Sequence, residues 1–304
     1  MRFSKIGFIG QGFIGGNLAN NFELRGYKDM IVRYDRSPKY AENKELIKKC
    51  QLVFVAVPTP STPDGFDDSV LFDVLPVTGR GSVVVIKSTV PPHVVRKLQE
   101  TFMDRVVMLC PEFLSEDTAR MDTDAPERNL IGVSNMGDPS LVEIAETVIK
   151  YLPIAPYNKV GTYEEASLAK YGGNCFFVVK NMFFNMLYDL SQAYGADWER
   201  LHDMIVHDTR INPVHTNPMH KKGRGAGGHC LIKDFAAFDD MVKEYLPKDK
   251  NAQAITKSNV KKNIELLRNS GKDLDLLNGV YGQKGETLIS LWEKIKDYGR
   301  PSLQ

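Results

Sequence analysis

A glycine-rich loop between a short apolar strand and a helix is the feature that most restricts the fold of this chain. Residues 5–10 read as a buried strand that ends in glycine, and residues 17–24 read as the helix behind it. The loop between them has the pattern GxGxxG and consists of Gly10, Gln11, Gly12, Phe13, Ile14 and Gly15. The first glycine permits a tight turn, the second lets a pyrophosphate approach the backbone, and the third lets the helix pack closely. The motif is weak alone, but here it has the flanking strand and helix that dinucleotide binding requires.

A second strand, residues 30–35, ends in Asp35. An acidic residue at this spacing from the glycine loop accepts a hydrogen bond from a ribose 2′-hydroxyl and repels a 2′-phosphate. Arg36 follows directly and works against that preference. The pattern therefore favours NAD as the cofactor over NADP.

Short apolar strands alternate with helices through the first half of the chain. Further strands are predicted at 52–57, 83–88, 106–110 and 130–133, and helices at 91–102 and 140–151. Near-continuous apolar strands separated by helices are typical of a parallel sheet covered on both faces. We therefore predict an α/β protein with a Rossmann-type doubly wound parallel sheet, followed by a mainly helical domain.

The second half has a different pattern. A long helix is predicted at 165–194, shorter helices at 196–207 and 234–244, a polar helix at 253–269, and an exposed tail beyond it. These patterns predict three parts: an NAD-binding domain at 1–160, a helical central domain at 161–258 and a short helical tail at 259–304. The length and aromatic content of the long helix suggest a homodimer formed through the central domain.

The composition and net charge of the chain argue against some classes of partner and indicate where the protein is located. The formal net charge is +1, so no overall field attracts nucleic acid or an anionic membrane. The basic run at 220–224 reads as a solvated face, with phosphate binding as the alternative. The four cysteines lack zinc-site or disulfide spacing, so no metal is predicted and reduced thiols are expected. With no signal-peptide pattern and no membrane-length apolar run, we expect a cytoplasmic protein.

Three segments follow predicted strands, at the edge where ligands of such sheets bind. They are residues 57–60, 87–91 and 110–116. Their prolines, hydroxyl residues and acids are equally typical of strand ends and helix caps. Each segment alone therefore leaves a structural role and a binding role open.

The segment from Gly225 to Asp234 carries the most reactive side chain. Four small residues and His229 precede Cys230, and a lysine and an aspartate come shortly after it. A thiol attacks a carbonyl as its thiolate, and a free cysteine has a pKa of about 8.5. Lys170 and Asn174 lie four residues apart on the long helix, so both project from one face. The sequence neighbours of Lys170 are mostly apolar residues and glycines, which is unusual for an exposed helix face. A solvated surface lysine is nevertheless the simpler interpretation.

Jointly and in order, these motifs resemble the UDP-glucose/GDP-mannose dehydrogenase family of NAD-dependent nucleotide-sugar oxidases. The motifs are the glycine loop, residues 57–60, 87–91 and 111–116, Lys170 with Asn174, residues 208–211, and Gly227 to Cys230 with Lys233 and Asp234. The resemblance implies a four-electron oxidation of a primary alcohol to a carboxylate, with two NAD⁺ used in succession. It implies a nucleotide sugar as the small-molecule substrate, with UDP-glucose or a relative expected.

The resemblance also implies roles for single residues. Cys230 would hold the aldehyde as a thiohemiacetal and then as a thioester. Lys170 and Asn174 would serve in proton transfer and hold the oxyanion, Asp234 and Thr89 would order a water, and Glu112 would be the base for hydrolysis, with Glu116 nearby. The cofactor would contact Val57, Pro58, Thr59, Thr89, Glu116 and Lys233 besides the glycine loop and Asp35. The substrate would contact Glu112, Phe113, Leu114, Lys170, Asn174, Arg210, Gly227 and Cys230.

The chain departs from the family pattern in several places. The residues after the cysteine segment are too few for the usual C-terminal nucleotide-binding domain, so we expect a shortened form. The interval from Asp35 to Val57 is short, Asp117 replaces a glycine, His229 stands where serine is common, and Leu231-Ile232 replace Phe-Pro. Two other functions stay open: a two-electron β-hydroxyacid dehydrogenase, which needs no nucleophilic thiol, and a non-catalytic NAD-binding protein.

Overall fold

The computed structural model describes residues 2–282. Its strands are β1 Ile6–Ile9, β2 Ile31–Tyr34, β3 Leu52–Val55, β4 Ser61–Thr62, β5 Gly65–Phe66, β6 Val83–Ile86, β7 Val106–Leu109, β8 Arg128–Val133, β9 Tyr157–Thr162, β10 Met219–His220 and β11 Gly223–Arg224. Its helices are α1 Gly15–Phe22, α2 Lys44–Ile47, α3 Ser69–Val74, α4 Pro92–Thr101, α5 Ala119–Asp124, α6 Pro139–Tyr151, α7 Tyr163–Ala193, α8 Trp198–Val206, α9 Gly228–Tyr245, α10 Lys250–Ser270 and α11 Leu274–Tyr281. Of the tail predicted at 259–304, residues 283–304 lie outside the described residues.

The chain divides into two compact units. The first contains the residues up to Thr59 together with Asp67–Gly172, and the second contains Pro60–Phe66 and the residues from Gly173 onward. Each unit has its own buried apolar cluster, so each can be described by itself.

The first unit is built on a seven-stranded sheet with the order β2-β1-β3-β6-β7-β8-β9. Strands β1, β3 and β6 are apolar and fully buried, as strands covered on both faces must be. The chain passes from β1 to β2 on one side and then to β3 on the other, so the strand order reverses between β1 and β3. The carboxyl ends of these two strands therefore form the crevice where ligands of such sheets bind. The predicted fold class is confirmed.

Two strands of this sheet differ from the sequence prediction. β8 pairs with β7 in antiparallel fashion, so the sheet is mainly parallel and has one antiparallel pairing that the sequence did not predict. The connection after β7 contains the short helix α5, which packs against α1. This connection does not return the chain to the amino end of β7, so β8 runs in the opposite direction. β9 was not predicted because its sequence, Tyr-Asn-Lys-Val-Gly-Thr, is neither continuously apolar nor clearly alternating.

Local signals explain where the principal helices begin. Thr162 and Glu165 form a capping box at the start of α7: the Thr162 N–H donates to Glu165 Oε2 over 2.7 Å, and the Glu165 N–H donates to Thr162 Oγ1 over 3.3 Å. Asp138 caps α6, which has proline at its first position.

In the core of the sheet, the ring of Phe8 packs on Phe22 and Phe54.

The second unit is mainly helical. α9 packs on α10 and α11 around a buried cluster formed by Ile232, Ala236, Ile264, Leu267, Leu277 and Val280. The hairpin β4–β5 belongs to this unit, and Ser61 Oγ donates to the Lys233 carbonyl over 2.8 Å. α9 begins at Gly228, earlier than the predicted start at Asp234, so Cys230 lies in its first turn. Across residues 2–282, no helix combines the length and apolar character needed to cross a membrane.

The prediction of an exposed tail after residue 269 is wrong for residues 270–282, which are the part of the tail that the structure describes. Leu277 is fully buried and Lys272 is only 8% exposed. The apolar residues Leu274, Leu277 and Val280 recur every three positions on a single short helix. That stretch is too short for periodicity alone to identify it.

Candidate functional site

The glycine loop has the geometry that its sequence pattern requires. Gly10 has a φ of +86°, and a Cβ added to it would lie 2.1 Å from the Ala56 carbonyl oxygen. A Cβ on Gly15 would lie 2.1 Å from the Gly10 carbonyl oxygen. A Cβ on Gly12, by contrast, would meet no atom within 4 Å. Two glycines are thus required by packing, while Gly12 leaves open space for the pyrophosphate of a dinucleotide.

Asp35 lies beside this loop. Its carboxylate accepts hydrogen bonds from the Gln11 N–H and the Ser37 N–H, each over 2.9 Å. Burial alone would raise the pKa of Asp35, but these hydrogen bonds outweigh it and hold the pKa below its ordinary value. The carboxylate therefore stays ionised at neutral pH and can accept a ribose hydroxyl. The residues of the loop fit NAD.

Two strand-end segments are tied together next to the loop. Ser88 Oγ donates to the Val57 carbonyl over 2.6 Å and accepts from the Val57 N–H over 3.1 Å. Thr59 Oγ1 donates to the Thr89 carbonyl over 2.9 Å, and Thr59 is buried whereas Pro58 is exposed. The ends of β3 and β6 are therefore held together by hydroxyl side chains. This arrangement brings Val57, Thr59 and Thr89 together as predicted contacts of the cofactor.

The third strand-end segment contains a buried ion pair. Lys87 Nζ lies 2.9 Å from Glu112 Oε2 and 3.3 Å from Cys110 Sγ. The Lys87 and Glu112 side chains are only 4% and 14% exposed. Burial alone would lower the pKa of Lys87, but Cys110 and Glu112 outweigh it and raise the pKa. The stabilisation that Lys87 gains is therefore complete below pH 10.5, the ordinary lysine value, and declines as the pH rises further.

Phe113 follows Glu112 and has two cations at its ring. Arg128 Cζ lies 4.0 Å and Lys170 Nζ lies 5.4 Å from the ring centroid. Lys170 is only 7% exposed, so the solvated-lysine interpretation is wrong. Leu114 is half-buried and Glu116 is exposed.

In the second unit, Cys230 differs from the other cysteines. Within the described residues none of the four forms a disulfide, and Cys50, Cys110 and Cys175 are buried whereas Cys230 is exposed. Burial raises the pKa of Cys50 to about 11 and also raises the pKa of Cys110 and of Cys175. Cys230 lies in the first turn of α9, where the helix dipole favours negative charge. The accessible thiol of the chain is therefore at the position that the sequence singled out.

Asp234 is the centre of a buried polar network in this unit. It is 1% exposed, accepts from Asn174 Nδ2 on one oxygen over 2.6 Å and pairs with Lys233 Nζ through the other over 2.5 Å. Both carboxylate oxygens thus have protein partners, and the network fixes the orientation of the Asn174 amide. Asn174, Lys233 and Asp234 are therefore brought together.

Arg210 lies apart from this network. Its guanidinium pairs with Asp208 Oδ2 over 2.6 Å, and its side chain is 87% exposed. The Asp208 carboxylate raises the pKa of Arg210, so the guanidinium is positively charged throughout the working pH range. Gly227 is half-buried at the N-terminus of α9.

Sequence reasoning missed two residues of the first unit. Lys87 and Ser88 stood in a strand-end motif, but neither was given a role of its own. Their partners Glu112 and Val57 are distant in the sequence, so only the sheet order brings them together. A lysine at the end of a fully apolar strand was the available signal, because a buried lysine requires a charged partner.

Comparison with known proteins agrees with this geometry. Two domain models of the UDP-glucose/GDP-mannose dehydrogenase family match the chain, the NAD binding domain over residues 39–151 and the central domain over residues 164–261. Together the two matches cover more than half of the chain. The fold and the glycine loop define a protein with a Rossmann-type NAD-binding domain. More particularly, the chain belongs to the UDP-glucose/GDP-mannose dehydrogenase family, and NAD is its cofactor.

Individual relatives give the extent of the similarity. A UDP-glucose 6-dehydrogenase of Rickettsia bellii is 29% identical over 249 residues, which are 78% of this chain and 55% of that protein. The chain thus spans about half the length of this curated relative. The structure of a UDP-glucose dehydrogenase from Pyrobaculum islandicum has a TM-score of 0.72 and 27% identity, and the match covers 88% of this chain and 69% of that one.

A third similarity concerns the fold alone. The Mycobacterium tuberculosis 3-hydroxyisobutyrate dehydrogenase has a TM-score of 0.66 at 17% identity, covering 94% of this chain and 99% of that one. At this identity the likeness carries no information about the substrate.

The glycine loop generates the first prediction. Gly12→Ala should change the free energy of unfolding by less than about 1 kcal/mol, because its Cβ meets nothing, yet weaken NAD binding at least about tenfold. Gly10→Ala should cost more than about 2 kcal/mol, because its Cβ collides with a backbone oxygen at a positive φ. Denaturant unfolding and NADH fluorescence titration measure the two effects. Unchanged NAD affinity in Gly12→Ala would contradict the interpretation that the pyrophosphate occupies the open space beside Gly12.

The buried ion pair generates the second prediction. Lys87→Met should lower the free energy of unfolding by about 3 kcal/mol, because it leaves the Glu112 carboxylate buried without its cation. Adding Glu112→Gln should restore part of the loss. The control is Lys97→Met, whose 60% exposed lysine pairs with Asp68 and should matter by less than about 1 kcal/mol. Equal effects of the two lysine variants in urea unfolding would refute a special role for the buried pair.

Proposed function

We propose that this chain oxidises a primary alcohol of a nucleotide sugar to a carboxylate in two NAD-dependent steps, through a covalent bond to Cys230. The observation that carries the proposal is the contrast among the cysteines: three are buried, and Cys230 is exposed in the first turn of a helix within a family-matched domain. The family description names UDP-glucose and GDP-mannose, so a nucleoside diphosphate sugar is the proposed substrate class. A uronate is the proposed product.

The first oxidation takes a hydride from the alcohol carbon and a proton from its hydroxyl, which leaves an aldehyde. Bound NAD⁺ supplies the hydride acceptor. The Cys230 thiolate then attacks the aldehyde carbon, forms a C–S bond and gives a thiohemiacetal. Attack places negative charge on the former carbonyl oxygen, which requires a hydrogen-bond donor or a cation.

Lys170 and Asn174 are the proposed oxyanion partners, and Lys170 also serves in proton transfer. The burial of Lys170 supports this role, since a buried cation interacts more strongly than an exposed one. Asn174 Nδ2 donates to Asp234 Oδ2 over 2.6 Å, and this bond fixes the orientation of the amide that is proposed to face the substrate oxygen. Because both Asp234 oxygens have protein partners, we propose that Asp234 acts chiefly by fixing Asn174, besides ordering a water with Thr89.

The second oxidation requires a second NAD⁺ as the hydride acceptor: a hydride leaves the thiohemiacetal carbon, its hydroxyl loses a proton, and a thioester on Cys230 results. A water then attacks the thioester carbonyl, the C–S bond breaks, and the carboxylate and the cysteine thiolate are released. Glu112 is the proposed base that takes the proton from this water, with Glu116 as an exposed acid in the same segment. Lys87 supports the role of Glu112 by geometry, because the 2.9 Å ion pair between them holds the carboxylate in a fixed position.

The cofactor contacts are proposed from the same motifs. The glycine loop with Phe13 and Ile14, Asp35, and the linked residues Val57, Pro58, Thr59 and Thr89 would hold NAD, with Glu116 and Lys233. Phe113, Leu114, Arg210 and Gly227 are proposed substrate contacts. The 87% exposure of the Arg210 side chain supports a role at a surface that a ligand or a second copy can reach.

The two-electron β-hydroxyacid dehydrogenase remains the alternative. It requires neither Cys230 nor Glu112. A non-catalytic NAD-binding protein, the second alternative, would also not require Cys230 or Glu112. A cytoplasmic location and a role for the basic run at 220–224 in phosphate binding stay predictions.

Stoichiometry tests the proposed reaction. With UDP-glucose and GDP-mannose as probes, the wild type should form two NADH for each sugar consumed. Cys230→Ser should lower acid formation at least about 10³-fold, because the covalent step is lost. Cys50→Ala, at a buried cysteine, is the matched control and should retain activity. One NADH for each sugar, with Cys230→Ser as active as the wild type, would favour the two-electron alternative.

We also propose that the chain forms a homodimer through α7. Phe176, Val179, Phe183, Met186 and Leu190 are each 42–61% exposed. They recur at intervals of three and four residues, which is the spacing of helices that pair along an apolar seam. A continuous exposed apolar stripe of this kind is typical of an interface.

Phe183→Asp should therefore convert the dimer to a monomer, because a carboxylate would be desolvated within the seam. Leu24→Asp, at an apolar residue that is 72% exposed in the first unit, is the control and should leave the mass unchanged. Light scattering coupled to gel filtration gives the mass. A monomeric wild type would reject the proposed dimer.

A further inference from the structure

The backbone that leads to Cys230 is held by side chains from α10 and from the turn that follows it. Asn263 Oδ1 accepts from the Ala226 N–H over 2.7 Å, and Asn263 Nδ2 donates to the Ala226 carbonyl over 2.9 Å. Lys272 Nζ donates to the Gly225 carbonyl over 2.9 Å. Asp273 Oδ2 accepts from the Gly228 N–H over 2.7 Å. The side chains of Asn263, Lys272 and Asp273 therefore fix the backbone of residues 225–228. We call these three residues the α10–α11 clamp.

Two of the three clamp side chains are buried, and Asp273 is half-buried. Ala226 is 3% exposed, Asn263 is 6% exposed and Lys272 is 8% exposed. Removing one partner of a buried hydrogen bond leaves the other unsatisfied, which costs more than the bond itself contributes. The segment before Cys230 is consequently held in one conformation rather than exchanging among several.

The glycines of the segment are explained by the clamp. A Cβ on Gly227 would lie 2.0 Å from Asp273 Oδ2, so only glycine lets this carboxylate approach. Gly225 has a φ of +89°, and a Cβ there would lie 3.0 Å from Asn263 Oδ1. The small residues beside Cys230 thus make room for side chains of this chain.

Asp273 also completes the helix that carries Cys230. The residue before α9 is Gly227, which has no side chain to cap the helix. Asp273 accepts the N–H of Gly228, the first residue of α9, and so serves as the cap from a distant part of the sequence. Its φ of +52° is a left-handed conformation, which aspartate and asparagine adopt more readily than most residues.

The clamp residues lie beyond the part of the chain that the family models match. The central-domain match ends at residue 261, whereas the clamp begins at Asn263. Family membership therefore assigns them no role, and their role follows from their contacts alone.

We infer that Asn263, Lys272 and Asp273 are positioning residues that hold the first turn of α9, and with it the Cys230 thiol, in place for attack on the substrate carbonyl. The inference rests on the proposed function of Cys230. The clamp residues act only through the backbone of residues 225–228. Their loss should therefore slow the steps at Cys230 and leave NAD binding unchanged.

The experiment compares three variants of the full chain. Asp273→Ala removes the cap, Asp273→Asn keeps an acceptor oxygen at the same place, and Asp275→Ala removes an exposed acid two residues away. Amide hydrogen exchange of the peptide spanning residues 224–231 should be at least about tenfold faster in Asp273→Ala and unchanged in Asp275→Ala. In turnover, Asp273→Ala should lower kcat at least about tenfold and change the KM for NAD less than about twofold. Asp273→Asn should restore at least about one third of the wild-type kcat.

The outcomes separate the clamp from the proposed reaction. Unchanged exchange in Asp273→Ala would overturn the clamp, whatever the activity. Faster exchange in a chain whose wild type forms no acid would overturn the proposed function and leave the clamp standing. If Asp273→Ala fails to fold, Lys272→Met replaces it with the same expected exchange, because it keeps the apolar stem and loses the ammonium group that donates to the Gly225 carbonyl. Equal kcat in all variants despite faster exchange would overturn the positioning role.

Discussion

Close approach at glycine is the constraint on which the candidate sites of this protein depend. In the first unit, the loop after β1 packs against the backbone after β3 so tightly that no Cβ fits at Gly10. In the second unit, Asp273 reaches the backbone of the cysteine segment only because Gly227 has no side chain. In both places the absence of a side chain on glycine lets a distant segment of the chain contact the loop and hold it in place. The first loop is the candidate cofactor loop, and the second leads to Cys230. Gly12 is the exception, since the space beside it is open.

Buried carboxylates with cationic partners form the second common element. Glu112 is paired with Lys87 in the first unit, and Asp234 is paired with Lys233 in the second. Pairs of this kind add little net stability, but removing one partner is costly. Their effect is to hold each carboxylate in one orientation.

The sequence predicted those parts of the structure that depend on local pattern. Apolar strands, the glycine loop and Asp35 follow from short-range spacing, and the structure contains them where the pattern indicated. The reversed β8 and the added β9 depend on how the chain re-enters the sheet, which no local pattern records. Lys87 and the α10–α11 clamp were missed because their partners are distant in the sequence. The same glycines that suggested a close approach beside Cys230 did not reveal what approaches.

The claim that Cys230 forms a covalent bond with the oxidised substrate is tested most directly by trapping that bond. Glu112→Gln, mixed with NAD⁺ and the sugar nucleotide that reduces it, is quenched in acid within the first turnovers and digested for mass spectrometry. The expected result is a peptide containing Cys230 whose mass is increased by an acyl group at the thioester oxidation level, and which hydroxylamine releases. An unmodified Cys230 peptide, recovered while NADH and acid accumulate, would contradict the covalent mechanism.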